Sequence, residues 1–122
     1  MLRADLGGVE RLRRFVQAML ERGEDAARLQ VRADLWAEMA TNHTVRERFA
    51  GVMRRRRIAL RSWIEAGIES GDIVEVPPNA LAATLLALGD GLMLHAGLDP
   101  AGFRWTNVHR SLDALLDGIA AS

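Results

Sequence analysis

The side chains that could carry out covalent or acid–base chemistry are few and scattered along the sequence. The chain has no cysteine and no tyrosine, which excludes thiol catalysis, zinc–thiolate sites, iron–sulfur clusters and a tyrosine general acid. A serine nucleophile needs a base within hydrogen-bond reach, and none of the serines lies in such a motif. Among the histidines, His109 has a carboxylate at helical spacing, Asp113, and such a pair normally means a surface hydrogen bond. We therefore predict that the chain is not an enzyme and holds no metal and no cofactor.

Arginine supplies the densest charge. All 16 basic residues are arginines, and 16 acidic residues balance them. Residues 54–57 are four consecutive arginines. On a helix Arg54 and Arg55 point away from the apolar stripe and Arg57 lies at its edge. Arg56 falls in the middle of the stripe, between Met53 and Leu60. A buried unpaired guanidinium is too costly, so Arg56 either pairs with a buried carboxylate or holds an anionic or polar group of a ligand. Asp90, a lone acid in an apolar segment, is expected to make a polar contact with Arg56 or across a dimer.

A set of aromatic and methionine side chains accompanies Arg56. At helical spacing such residues are most often plain core, but rigid tryptophan and flexible methionine also suit a pocket for varied apolar molecules. We predict a mainly apolar cavity among the first three helices, with Arg56 as its polar anchor. The expected partner is an amphipathic small-molecule effector with one acidic or carbonyl end, which a guanidinium can grip with two parallel bonds. The predicted ligand-binding residues are Trp36, Met39, Phe49, Met53, Arg56 and Trp63.

The elements that must position these side chains are helices almost throughout. Apolar residues recur three and four positions apart in five segments. These segments are 9–22, 26–41, 44–70, 80–96 and 107–120. The prediction is a single all-α, five-helix domain over residues 1–122.

Turn and cap residues mark several helix boundaries. Thr44 and Glu47 form a capping-box pair at the start of the third helix, and Gly71 ends that helix. Asn79 is a suitable cap for the fourth. Residues 73–76 resemble a strand, but a lone strand has no partner, so we predict an extended loop there.

The fourth predicted helix is apolar nearly all round, so it must be buried on two sides. One stripe is made of leucines and another only of small residues, which let a neighbouring backbone approach closely. We predict a two-fold homodimer whose interface is a four-helix bundle of the fourth and fifth helices from each copy. A central helix in a monomeric bundle is the alternative. The predicted interface residues are Ala83, Ala87, Gly91, Val108, Leu112, Leu115, Leu116 and Ile119.

Composition limits the remaining possibilities. The chain is 49% apolar and 26% charged, as is usual for a globular domain. We see no apolar run of membrane length and no signal peptide, so we expect a cytoplasmic protein without a membrane partner. Because the net charge is zero and the arginine run scatters round a helix, we expect the chain alone not to bind duplex DNA specifically.

Four strings of the sequence follow one another in a characteristic order and spacing. They are 35–40 followed by 45–49, then 54–73, then 77–83, and finally 88–92 with 98–100. In this order they resemble the C-terminal domain of the TetR family of bacterial transcriptional regulators.

The resemblance implies an all-α domain that binds a small effector and dimerises. In such a domain the effector moves the long helix and changes the spacing of DNA-binding heads attached upstream. The family places a helix-turn-helix before this region, and residues 1–8 are too few for one, so we expect this chain to lack the DNA-binding half. A stand-alone helical dimerisation or adaptor module, and a small hydrophobe carrier, are the alternatives.

Overall fold

The computed structural model describes the backbone of residues 7–23 and 26–121, and the side chains of this range apart from those of residues 22–33. The expectation about a missing DNA-binding half rests on residues 1–8, of which 1–6 lie outside this range. The described helices are α1 (Gly8–Gly23), α2 (Ala26–Thr41), α3 (His43–Ser70), α4 (Pro78–Leu98) and α5 (Trp105–Ile119), with a short 3-10 helix at Pro100–Gly102. The all-α, five-helix prediction is confirmed.

The main core forms where α1, α3, α4 and α5 meet. Each of these helices turns an apolar stripe inward, and a fully buried leucine or isoleucine contributes about 1.5–3 kcal/mol. Two smaller clusters, one around Met19 and Met93 and one around Val16 and Leu112, extend the core along α1. Helix α1 contributes to all three clusters and so holds the other helices together. The buried residues of the main core are Leu12, Leu60, Ile64, Ile73, Ala82, Leu85, Leu86 and Leu116.

The helix caps differ from those predicted. Helix α3 begins at His43, and its N-cap is Asn42, whose side chain accepts a hydrogen bond from the Val45 backbone N–H. The capping box with Thr44 was therefore wrong, because asparagine is at least as good a cap as threonine and stands two residues earlier. The cap predicted at Asn79 was also wrong: the N-cap is Pro77, and proline is well suited to the first helical position that follows.

The segment between α3 and α4 is extended, as predicted, but it has a partner. Gly71 ends α3 with a φ of 86°, a left-handed conformation that glycine adopts without steric cost. Ile73 then forms an isolated antiparallel bridge with Ala120, and the Val74 N–H donates to the Ile119 carbonyl. The end of α5 is thereby fixed against the end of α3.

Helix α4 is long and apolar enough to cross a membrane by length and composition, with a mean hydropathy of 1.5. This differs from the expectation that no run reaches that length; Asp90 is the one acidic residue in the helix. The core helix of a soluble protein can have the same length and apolar composition. Helix α4 packs against α1, α2 and α3, which accounts for one apolar side of it.

Helices α1 and α3 approach each other closely at two glycines, Gly8 and Gly67. A Cβ atom on Gly8 would lie 2.8 Å from the Cα of Gly67 and 3.2 Å from Ile73 Cδ1. The Gly8 N–H donates to the Asp72 carboxylate at 3.0 Å, which satisfies a backbone donor of the first turn of α1. The start of α1 is therefore fixed on the junction between α3 and α4.

Candidate functional site

Arg56 lies where three helices meet. Its guanidinium, on α3, is 3.7 Å from Asp90 Oδ1 on α4, with the two side chains 24% and 5% exposed. Its Nη2 also donates to Met19 Sδ on α1 at 3.3 Å. The contact with Asp90 is one of the two possibilities that the sequence left open for that carboxylate, and it pairs the half-buried cation with a buried anion.

Met19 has a second contact at this junction. The residue is 2% exposed, and its methyl group and sulfur lie so close over Gly89 that a Cβ there would overlap both. A flexible thioether can fill such an irregular gap. Met19 therefore packs α1 against α4 at Gly89 and also accepts a hydrogen bond from the Arg56 guanidinium of α3.

Trp36 belongs to the hairpin of α2 and α3. The Arg46 guanidinium donates to the Met39 carbonyl across the turn between these two helices. Trp36, Met39, Phe49 and Met53 are all half-buried. The indole Nε1 of Trp36 is buried and has no hydrogen-bond acceptor in the described part of the chain, and such a donor is costly to leave unmet.

Trp63 lies apart from these residues. It is ten residues beyond Met53 on α3, about 15 Å along the helix axis, and packs edge-on against Phe15 with ring centroids 5.8 Å apart. It borders the main core and a shallow cleft of about 200 Å³ near Ser70. Of the predicted ligand-binding residues, Trp36, Met39, Phe49 and Met53 therefore lie on one hairpin, Arg56 lies one turn beyond Met53, and Trp63 is placed with the core.

A second surface, which we call the α4–α5 face, is apolar and open. At about 100° per residue, the buried side chains of α4 occupy one arc, and residues near Leu88 and Gly91 occupy the opposite one. Two clefts that share Leu88 and Leu92 run along this surface. One is about 430 Å³ between α4 and α5, and the other is about 460 Å³ along α4. The α4–α5 face consists of Thr84, Ala87, Leu88, Gly91, Leu92 and His95 on α4 and Val108, Ser111 and Leu115 on α5.

The predicted interface residues divide between this face and the core. Leu115 is 57% exposed, whereas Leu112 and Leu116 are 6% and 1% exposed. Ala87 is exposed. The other four, Ala83, Gly91, Val108 and Ile119, are buried to an intermediate degree, and Gly91 and Val108 line the clefts.

A polar link joins α1 to the same helix α5. Arg13 donates to Asp113 and to Asp117, each at 2.7 Å. These hydrogen bonds, first that with Asp117 and then that with Asp113, raise the pKa of the Arg13 guanidinium above its ordinary value. Arg13 therefore stays charged and links α1 to α5 through two ion pairs.

Sequence reasoning missed the site roles of Met19 and Leu88. In the sequence Met19 looks like an ordinary core residue of the first helix. Its spacing does not predict a contact with Arg56 of α3. Leu88 belonged to the leucine stripe of the fourth predicted helix and was not among the predicted interface residues, although its position on the helical wheel lies beside Gly91 and Thr84. Counting the arc that each residue occupies would have placed Leu88 on the open side.

The described residues contain no cluster of three or more histidine, aspartate or glutamate side chains that could hold a metal ion. Chemically, the geometry offers a half-buried cation, a buried indole donor and an open apolar face.

A family model for the C-terminal region of BetI-type transcriptional repressors matches residues 8–121. No match was found among curated proteins, and none among solved structures. The matched range begins at the first residue of α1 and extends beyond the end of α5.

Proposed function

Because the chain belongs to the family of C-terminal domains of BetI-type transcriptional repressors, within the TetR family, we propose that it is the effector-binding and dimerisation domain of a ligand-responsive transcriptional regulator. Two copies join through the α4–α5 face. A small amphipathic molecule binds among α1, α2 and α3 and changes the spacing of the DNA-binding heads that this family carries before the domain. The domain acts in the cytoplasm, without catalysis and without binding DNA by itself.

The observation that carries this proposal is the exposed apolar arc of α4 and α5. Leu88 and Leu115 are 38% and 57% exposed and lie in a continuous surface with Ala87 and Gly91. Contiguous apolar surface of this kind marks an interaction site. In a two-fold dimer the same patch on each copy packs against its counterpart, so both apolar patches are buried. The small residues of α4 permit close approach of the two helices.

Replacing Leu115 by arginine is expected to convert the dimer to a monomer. A two-fold interface receives each substitution twice, and a charge buried without a partner is costly, so the dimer dissociation constant should rise by roughly 100-fold or more. Ala87→Arg should act in the same way from α4. Sedimentation velocity over a concentration series measures the dissociation constant directly.

Ile58→Arg is the matched control, because Ile58 is 55% exposed but lies on α3, away from the α4–α5 face. It should leave the dissociation constant unchanged. A clean monomer for the unmodified chain at micromolar concentration, or equal effects of Leu115→Arg and Ile58→Arg, would refute dimerisation through this face.

The effector half of the proposal is supported by two hydrogen-bond donors with spare capacity. The buried Trp36 Nε1 has no acceptor in the described residues, and the Arg56 guanidinium donates there to a thioether, a weak acceptor. Both belong to the predicted set with Met39, Phe49 and Met53, which would supply apolar walls, whereas Trp63 packs with the main core. A ligand with an acidic or carbonyl end would satisfy these donors and bury its apolar part.

A further inference from the structure

The contact between Arg56 and Asp90 leaves most N–H donors of the guanidinium without a short hydrogen bond in the described residues. A guanidinium has five N–H donors. In the described residues Arg56 makes one hydrogen bond, to Met19 Sδ at 3.3 Å, and stands 3.7 Å from Asp90 Oδ1. That distance exceeds the usual 2.7–3.2 Å or so of an N–H···O hydrogen bond. Since the Arg56 side chain is 24% exposed, part of it can be reached from outside.

Asp90 is held in place by the helix that carries it. It is 4% exposed and lies between Gly89, which is covered by Met19, and Gly91 on the open side of α4. A buried carboxylate needs a nearby positive charge, and Arg56 provides one. Yet this carboxylate, which is tied to α4 by its own side chain, lies 3.7 Å from the guanidinium and makes no pair of short parallel hydrogen bonds with it.

A free carboxylate has no such constraint. It can take the bidentate position on a guanidinium, with N···O distances of about 2.7–2.9 Å. We propose that Asp90 occupies the place of an effector carboxylate at Arg56, and that effector binding exchanges the one for the other. This inference rests on the proposed effector-binding function, and it makes Asp90 a specificity-determining residue for carboxylate-bearing amphiphiles.

The exchange links the effector site to the α4–α5 face. When Arg56 turns to the ligand, the buried Asp90 loses the stabilisation of that charge and favours a new position of α4. The same helix carries Leu88 and Gly91 on its open side. A ligand can shift such an equilibrium only by the difference in its affinity for the two states, and the competition with Asp90 supplies that difference.

The test uses the complete chain and three probes of one tail length: decanoate, 1-decanol and decyltrimethylammonium. Isothermal titration calorimetry gives the affinity of each for the unmodified chain and its variants. Arg56→Met should weaken decanoate binding by about 10- to 100-fold, the value of a hydrogen bond to a charged group, and leave decanol unchanged. Asp90→Asn should instead strengthen decanoate binding by about tenfold or more, because the internal competitor is gone.

The double variant isolates the exchange. In the Arg56→Met background, Asp90→Asn should have no effect on decanoate, since there is no guanidinium to compete for. A purely structural ion pair predicts that Asp90→Asn lowers stability and does not improve decanoate binding, and that result would overturn the inference. The unmodified chain provides a measurement that needs no variant: it must prefer decanoate to decanol by about tenfold, again on the scale of one charge-assisted bond.

The remaining outcomes separate this inference from the proposed function. Equal binding of decanoate and decanol by every variant overturns the exchange and leaves an effector cavity in place. Binding of decyltrimethylammonium that Asp90→Asn abolishes also overturns it, because Asp90 would then be the ligand's own partner. If none of the probes binds, both the exchange and the effector half of the proposed function fail, and a dimerisation module acting through protein contacts is what remains.

Discussion

Replacing Leu116 by alanine is expected to lower the free energy of unfolding by about 2–5 kcal/mol. Leu116 is 1% exposed and packs in the main core with Leu12 of α1, Ile64 of α3 and Leu85 of α4. Four helices would have to move together to close the space left by the missing carbons, and close-packed interiors relax only in part. Chemical denaturation at a fixed protein concentration measures the loss.

Leu98→Ala removes the same atoms from a side chain that is 71% exposed at the end of α4. Surface substitutions of this kind usually change stability by less than about 0.5 kcal/mol. Both variants should be compared at two protein concentrations, because dimerisation makes apparent stability depend on concentration. A loss below about 1 kcal/mol for Leu116→Ala, which is under the range expected for such a truncation in a core, would place Leu116 outside a rigid core.

The helices could be predicted because their period is local. Residues such as Leu12, Val16 and Leu20 recur at spacings of three and four, and each is buried as this spacing predicts. The starts of α3 and α4 were misplaced by one or two residues, because neighbouring residues compete as caps and sequence alone does not rank Asn42 against Thr44. These errors are confined to helix ends.

Long-range contacts were the part that spacing could not predict. The bridge between Ile73 and Ala120 joins segments far apart in the sequence, so the strand-like residues 73–76 looked partnerless. Likewise, helical periodicity placed Arg56 on the inner side of α3, but the identity of its neighbours depends on how α1 and α4 cross it. Asp90 was a reasonable candidate because an apolar helix rarely carries an acid, whereas Met19 had no distinguishing feature.

Helix α4 has a buried arc and an exposed arc, which explains why the leucines of one stripe differ in exposure. Leu85 faces the core at 6% exposure, while Leu88, three residues later in the same leucine stripe, is 38% exposed. The leucine stripe lies at the boundary between the two arcs of α4, so some of its residues face the core and others face the α4–α5 face. Composition alone could not tell which leucine belongs to which surface. The small residues did mark the open side: Gly91 has no heavy atom within 4 Å of an added Cβ, apart from the atoms of its immediate surroundings in the helix. The surface expected to meet a second copy is thus a mixture of small residues and leucines.

Replacing Gly8 by alanine is expected to lower the free energy of unfolding by about 1–3 kcal/mol, the usual cost of overpacking. The added Cβ would stand 2.8 Å from the Cα of Gly67, and a backbone atom cannot rotate away as a side chain can. Helices α1 and α3 would have to separate, which would also strain the hydrogen bond from the Gly8 N–H to Asp72. Thermal or chemical denaturation of the variant measures the cost.

Gly51→Ala is the matched control, because an added Cβ there meets only the guanidinium atoms of Arg55 and Arg54, at 3.6 and 4.0 Å. Within a helix, alanine is favoured over glycine by about 0.5–1 kcal/mol, so this variant should be more stable than the unmodified chain. The same chemical change is therefore expected to have opposite signs at two positions, and only the close approach of α1 to α3 separates them. If Gly8→Ala were as stabilising as Gly51→Ala, the two helices would have room for a side chain, and the start of α1 would not be fixed by packing on α3.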